Sequence, residues 1–571
     1  MIADPTPHVG LGADPPLSRI RARMAADWPE AICLAAVLLV AAFLRFNDLQ
    51  SRAGWDSDQG SEMLALWNAL HSGTIPQLGP LARTGSFGSF HHGAFYYDLM
   101  LPGAWLDGGA PTWVLLEIAL AGLSVVPMVW RVARSIGGPA AGLAAAILAA
   151  TSGGLVGFST FIWNPTLIEP GTALALLGAW QAWSSRNPAW LLAAAAGAAT
   201  ATQAHIAAGV LVLPMSVILI ALLWRGPAGQ RRRIALWGVA AAALIVATYI
   251  PFILYEVRHD FAETRAILGF LTGPGGQASH GPAYRLAVSG VRIVAWPLTG
   301  WPIWGEKPNL PLAIGVAGAL VAGLGWRLVA TALPHLRPAP GPENIAAEVF
   351  TTSVGPRARE RDGPWLVAGC LGALIVALGL GMSNTSEIGP DLTEQYHIVA
   401  DPFVIVAAGI LLGSLWRLNG RSSWVRSSGR VLCIAALSAS VYHSSAEWPA
   451  GPNPSSWSVA HTAANRIERD AAGQSIALVG LPNDRSTDAY GFPLVLDGVT
   501  PVTPDRASVL VVLCDSSRSE SCGGRSEDAW LAAQPYATGF ELLDRFTAAP
   551  DRILSIYGRL SAGKMAHRIA R

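Results

Sequence analysis

Two short stretches carry residue types that do chemistry: Gly54-Trp55-Asp56-Ser57-Asp58-Gln59-Gly60-Ser61-Glu62 and, further along, Phe90-His91-His92-Gly93-Ala94-Phe95-Tyr96-Tyr97. An ionised carboxylate takes a proton from a hydroxyl as that oxygen attacks, the work of a general base. Asp58 also opens a segment in which Met63, Leu66, Trp67 and Leu70 recur at helical spacing, so its carboxylate suits an N-cap equally well. Asp56 reads as a solvated loop acid in a supporting role. Adjacent imidazoles donate to phosphate or bind metal, yet no HxxxH or CxxC spacing accompanies His91 and His92. A divalent metal on Asp58, His91 and His92 is therefore left open, and no cofactor is assigned.

Other polar residues stand beside apolar runs. Asn164, in Trp163-Asn164-Pro165, reads first as the cap of a helix beginning at the proline. His205 precedes an apolar run and by itself reads as a structural histidine. Tyr255-Glu256-Val257-Arg258-His259-Asp260-Phe261 is either a solvated Glu–Arg loop or one in which Arg258 grips a phosphate with two parallel hydrogen bonds. Gln395-Tyr396-His397 precedes a late apolar run.

The elements that must position these groups are membrane helices. The 571 residues are 52% hydrophobic and 13% charged, against about 25% charged in an ordinary soluble domain. Runs at 31–46, 111–131, 138–157, 165–183, 189–202, 206–224, 234–255, 310–326, 365–380, 399–416 and 431–441 predict about eleven crossings. Residues 1–28, with Arg19, Arg21 and Arg23, read as a cytoplasmic tail before an uncleaved first helix. The positive-inside rule then puts loop 47–110 outside and Arg131, Arg134, Arg186, Arg225 and Arg231–Arg233 inside. Loop 256–305 falls outside, its Trp-rich end lying in the interface. The Arg-rich linker 335–362 falls inside, and everything past about Ser444 outside. That topology, drawn from arginines alone, puts Asp56, Asp58, His91, His92, Asn164, His205, Glu256, Arg258, His259, Tyr396 and His397 on one side of the membrane. Ionisable groups gather so where ligands or ions bind. The net charge of +1 says nothing about partners; no nucleic-acid partner is expected.

Residues 447–571 differ in kind. Short apolar runs at 475–479 and 509–513 alternate with turn-rich and helical stretches, which reads as a small extracytoplasmic α/β domain. Cys514 and Cys522 close a Ser-rich loop there; an exported compartment favours a disulfide, with two free thiols as the alternative. Cys33, Cys370 and Cys433 sit in apolar runs as packing residues.

No Walker loop, GxSxG elbow or strand-to-helix GxGxxG is present. Over residues 31–416 the order of features resembles the GT-C superfold of polyprenyl-phosphate-sugar-dependent membrane glycosyltransferases, most of all protein O-mannosyltransferases and the lipid A aminoarabinose transferase. The resemblance rests on a first span, an acidic position opening a loop helix (Asp58-Gln59), the aromatic segment Phe90–Tyr97, the Glu256-Val257-Arg258-His259 loop and Gln395-Tyr396-His397. It departs where Gln59 replaces a second acid and Gln395 an arginine. It implies an all-α polytopic GT-C-like domain over 29–446, with Asp58 as base. His91, His92, Arg258, His259, Tyr396 and His397 would face the donor's phosphate or sugar, with Asp56, Asn164, His205 and Glu256 in support.

The expected activity is inverting transfer of a hexose or pentose from a polyprenyl-phosphate sugar to an envelope glycan, lipid or protein, with membrane lipid around the spans. The expected place is the bacterial cytoplasmic membrane, with the site and C-terminal domain outward. A lipid-sugar flippase or secondary transporter is the rival reading; no internal repeat of spans supports it.

Overall fold

Long apolar helices dominate the computed structural model, which describes residues 16–83, 89–225, 228–272, 280–300, 309–332, 355–381, 394–418, 423–448, 451–519 and 522–559. Most of the linker 335–362, residues 383–393 and Trp301–Trp304 lie outside them. Among the described residues six helical segments are long and apolar enough to cross a membrane: Trp28–Phe46, Thr112–Thr151, Ile206–Trp224, Leu310–Ala332, Ala358–Gly381 and Ile398–Trp416. A seventh is the pair Gly229–Thr248 and Ile250–Arg258 taken as one span, bent by 55°. The protein is an integral membrane protein.

The number is smaller than the eleven apolar runs because several runs are short, broken or joined. Leu191–Ala204 has 14 residues. Thr112–Thr151 carries Gly138 at φ 77°, ψ −177°, followed by Pro139. A Cβ built on Gly142 would lie 3.0 Å from the Trp130 ring, whereas residues 12 apart (142 − 130) on a straight helix are about 18 Å apart. The chain turns back on itself at Gly138, whose positive φ suits glycine. This segment is thus an antiparallel hairpin of the two runs 111–131 and 138–157.

The helices meet in a core centred on Asp401–Trp416, where Phe403, Val404, Ile405, Val406 and Ala407 are inaccessible. Gly409 and Gly413 sit on Ala141 and Ala145 with no room for a side chain; small residues let helix backbones approach closely.

Polar groups sort to the two ends of this bundle. At one end Glu30 accepts from Arg134 Nε at 2.7 Å, and Arg417 lies beside Gly138 and pairs with Glu360 at 3.2 Å. The other end holds the loop helices Ser57–Ser72 and Phe95–Leu106 and the 3-10 turns Asn164–Leu167, Ile206–Leu211 and Glu394–Tyr396. The helix Pro282–Thr299 lies across that second end. Its Arg285 donates to the Leu380 carbonyl at 2.8 Å, and Gly300, just past it, abuts Glu447. Of the Trp-rich stretch, Trp296 is buried in the bundle end, while Trp301 and Trp304 lie outside the described residues.

Residues 457–559 form an α/β unit. Its four strands are ordered Ile476–Leu481, Val509–Asp515, Arg552–Arg559, Phe540–Ala549; the first pair is parallel and the others antiparallel. Val509–Asp515 is buried along its whole length, and its side chains alternate between two cores. Val509, Val511 and Leu513 join the main core that also holds Trp55 and Met63, while Leu510, Val512 and Cys514 face a second cluster with Leu481 and Tyr557. Cys514 and Cys522 are disulfide-bonded, their Cα atoms 5.4 Å apart.

Candidate functional site

The first acidic stretch is held by the C-terminal domain. Trp55 stacks edge-on against Trp457 at 4.6 Å, and its Nε1 donates to the Ala489 carbonyl at 2.8 Å. Its backbone N–H reaches the Ser455 carbonyl at 2.7 Å. Asp56 accepts from Arg485 and, at 3.0 Å, from Arg552. The same two arginines pair with buried Asp515 at 3.3 and 2.9 Å. One turn on, Gly60 leaves no space for a side chain: a Cβ would fall 2.1 Å from the Asp488 carbonyl oxygen. Asp56 is thus an anchor to the C-terminal domain and not a solvated loop acid.

Asp56 also takes the N-cap position of Ser57–Ser72, and Gln59 Oε1 accepts its N–H at 2.8 Å, half of a capping box. The capping role weighed for Asp58 therefore belongs to its neighbour. Gln59, which stands where the resemblance expects an acid, has this local task. Asp58 lies exposed in the first turn, where its charge complements the helix dipole. Glu62 follows one turn later on the buried stripe with Gln59, Met63, Leu66 and Ala69. Its carboxyl faces Tyr96 and the Asn164 backbone N–H, and Oε2 is buried without a hydrogen-bond partner among the described residues. The sequence reading passed over Glu62, although its spacing puts a carboxyl on an apolar helical stripe.

His91 and His92 part company, as successive residues of the strand Ser89–His91 and its exit must. The His91 ring Nδ1 pairs with Glu263 Oε1 at 2.9 Å, and its backbone N–H donates to Oε2 at 2.7 Å. His92 turns inward, its ring 4.6 Å from that of His205, which meets Tyr396 edge-on at 5.4 Å. Asp58, His91 and His92 therefore do not converge as one ligand set. Among the described residues no group of three His, Cys, Asp or Glu side chains is arranged to hold a metal. His205 caps the turn Ile206–Leu211, its Nδ1 accepting the Ala207 N–H at 3.1 Å; that leaves a neutral ring's proton on Nε2. Asn164 does not cap with its side chain: Nδ2 donates to the Ala204 carbonyl at 2.5 Å, tying two helix ends together.

The second loop is largely structural. Glu256 accepts the backbone N–H groups of Glu263 and Thr264, each at 2.9 Å, and so caps Ala262–Thr272. Arg258 is exposed at the end of Ile250–Arg258. His259, also exposed, stacks on Tyr255 at 3.9 Å. Neither enters the cluster. His397 is fully buried, its ring 6.2 Å from Trp296 and close to Arg292. Arg45, at the end of the first span, is buried too; it donates to the Ala149 and Ala150 carbonyls at 3.2 Å and faces Glu169.

What remains is a charge-poor cluster of buried Glu62, Tyr96, His92, His205 and Gln203, with half-buried Tyr396 at its edge. Glu62 and Tyr96 face each other, and among the described residues Glu62 Oε2, Tyr96 Oη, His92 Nδ1 and Gln203 Oε1 are buried without a hydrogen bond of good geometry. Buried polar atoms are almost always hydrogen-bonded, so the cluster is built to receive a polar ligand or water. Burial pushes the Glu62 carboxyl well above the usual range. Burial, and then the neighbouring His91, brings His92 down to about 4. Burial does the same to His205, with His92 adding to it, and to His397, with Arg292 adding to it. At neutral pH these imidazoles offer hydrogen bonds without positive charge. A cavity of about 1010 Å³ lies elsewhere, against Arg186, Ala332 and Ala358 at the arginine-bearing end.

No protein-family model matches this chain, and no curated protein does. Solved structures do. ArnT from Cupriavidus metallidurans, bound to undecaprenyl phosphate, aligns with a TM-score of 0.53 at 15% identity, covering 92% of this chain and 97% of that chain. Its apo form gives 0.52, 15%, 93% and 98%. The chain has the GT-C fold. The archaeal oligosaccharyltransferase AglB from Archaeoglobus fulgidus aligns at 0.48 and 14% identity, over 94% of this chain and 75% of that one. The likeness to ArnT covers 92% of this chain, more than the residues 31–416 that carry the resemblance in sequence.

Proposed function

We propose that this protein is a membrane glycosyltransferase that moves a monosaccharide from a polyprenyl-phosphate sugar to an acceptor outside the bacterial cytoplasmic membrane. The observation that carries this reading is the buried cluster of unpaired polar atoms beside exposed Asp58, at one end of a GT-C bundle. ArnT, of that fold, is bound to undecaprenyl phosphate.

In this reading the polar end faces outward and the arginine-bearing end faces the cytoplasm, which follows the positive-inside rule. The lipid tail lies among the spans. The Asp58 carboxylate takes the acceptor's hydroxyl proton, the new C–O bond forms at the anomeric carbon, and the bond to the phosphate oxygen breaks with its electron pair leaving on phosphate. Attack opposite the leaving group inverts the centre. Asp58 is exposed in the first turn of its helix, on the side from which an acceptor approaches in this reading. A flippase would need ionisable groups spread along its path; here they gather at the bundle ends.

The test is transfer of label from radiolabelled polyprenyl-phosphate sugars to a cell-envelope extract by the purified protein. Asp58→Asn retaining full transfer would remove the base assignment. Substrate transport without product formation would favour the flippase.

A further inference from the structure

We propose that Glu62 is a second working carboxyl of the site: a neutral acid, buried one helical turn after exposed Asp58, that donates a hydrogen bond to an oxygen of the sugar-phosphate. The inference rests on the glycosyl-transfer reading and deepens it.

Residues four apart on a helix share a face, so the site holds two carboxyls in opposed surroundings: Asp58 is exposed and Glu62 is 3% accessible. Such divided environments assign the ionised carboxylate to base work and the buried one to hydrogen-bond donation. Glu62 is surrounded by Tyr96 and Tyr97 from Phe95–Leu106, the Asn164 N–H and, on its own helix, Asp58. On the helix's other side, Asp488 binds Ser61, and Arg485 binds Asp56. Among the described residues no cation faces Glu62, and burial pushes its carboxyl well above the usual range.

A charged carboxylate there would repel a phosphate, whereas a protonated one presents an O–H beside the Tyr96 hydroxyl. A buried carboxyl O–H and the Tyr96 hydroxyl beside it are donors of the kind that stabilise the negative charge gained on departure of a phosphate. Proton and electron bookkeeping is unchanged by this role. Asp58 receives the acceptor's proton, phosphate keeps the electron pair, and Glu62 retains its own proton.

The experiment compares Glu62→Gln with Glu62→Ala in the full-length, detergent-purified protein. Glutamine keeps the shape and an N–H donor but cannot ionise. The expected result is that E62Q loses no more than about tenfold in kcat/KM and loses the fall in rate that wild type shows as rising pH deprotonates Glu62. E62A, lacking a donor, falls by about 10²-fold or more. An infrared difference spectrum at neutral pH shows a protonated-carboxyl stretch in wild type that E62Q lacks. E62Q as inactive as E62A, E62A as active as wild type, or absence of that band overturns the proposal. Wild type showing the band but transferring no sugar from any polyprenyl-phosphate donor overturns the functional reading, and with it the role in transfer, while the neutral carboxyl stands.

Discussion

Asp56 and Glu62 lie six residues apart (62 − 56) in one stretch, in opposite kinds of polar environment. Around Asp56 every charge is matched: two aspartates and two arginines interlock, and the C-terminal domain closes over them. Around Glu62 charge is scarce and polar atoms are left without partners. A satisfied polar network specifies one arrangement of the chain. An unsatisfied one has lost its water without gaining a protein partner, a state that a ligand can relieve. The contrast assigns anchoring to the first corner and binding to the second.

The sharpest way to break that division is Asp58→Asn, between the two corners. Transfer should fall by about 10²–10⁴-fold, the usual worth of a positioned acid or base, with the thermal midpoint of the purified protein unchanged. Next comes Asp515→Ala in the matched corner, which takes the buried carboxylate from Arg485 and Arg552 and leaves them to share the more exposed Asp56. Breaking a buried pair costs about 3–5 kcal/mol. A thermal-unfolding scan should show a lower midpoint, and a protein still folded at low temperature should retain transfer. An Asp515→Ala variant that loses transfer while unfolding like wild type would erase the distinction.

Acid probes the charge-poor corner. The unfolded chain's imidazole binds a proton below about pH 6.5, whereas folded His92 resists until about 4. Stability therefore falls as pH drops through that window, by about 3 kcal/mol for this group alone. His92→Gln should flatten the decline, read as thermal midpoint against pH. The smallest effect belongs to His91→Ala. It gives up a partly exposed pair with Glu263 and should cost about 0.2–1 kcal/mol, with transfer little changed.

These contrasts were unevenly legible in the sequence. The turn at Gly138-Pro139 and the strand at 509–513 follow from local composition, since glycine, proline and apolar runs act within a few residues. Glu62 was visible in principle as a carboxyl on an apolar stripe, yet its burial depends on Tyr96 and Asn164 from other elements. His91 and His92 read as a pair because they are adjacent; strand geometry, which sends neighbours to opposite faces, separates them. The partners of Asp56 lie 429 and 496 positions away in the chain, beyond the reach of any local pattern.

By itself the sequence determined a polytopic membrane chain, the sorting of arginines away from the acids and histidines, and an α/β C-terminal unit. Those are consequences of how bilayer and water partition side chains, which act on each segment separately. Only the tertiary structure decided which polar groups are satisfied and which are left unpaired. Hydrogen bonds and ion pairs form over a few ångströms between groups brought together by packing, so Asp56 becomes an anchor and Glu62 a buried, unpaired acid only once the bundle end and the C-terminal domain have closed around them.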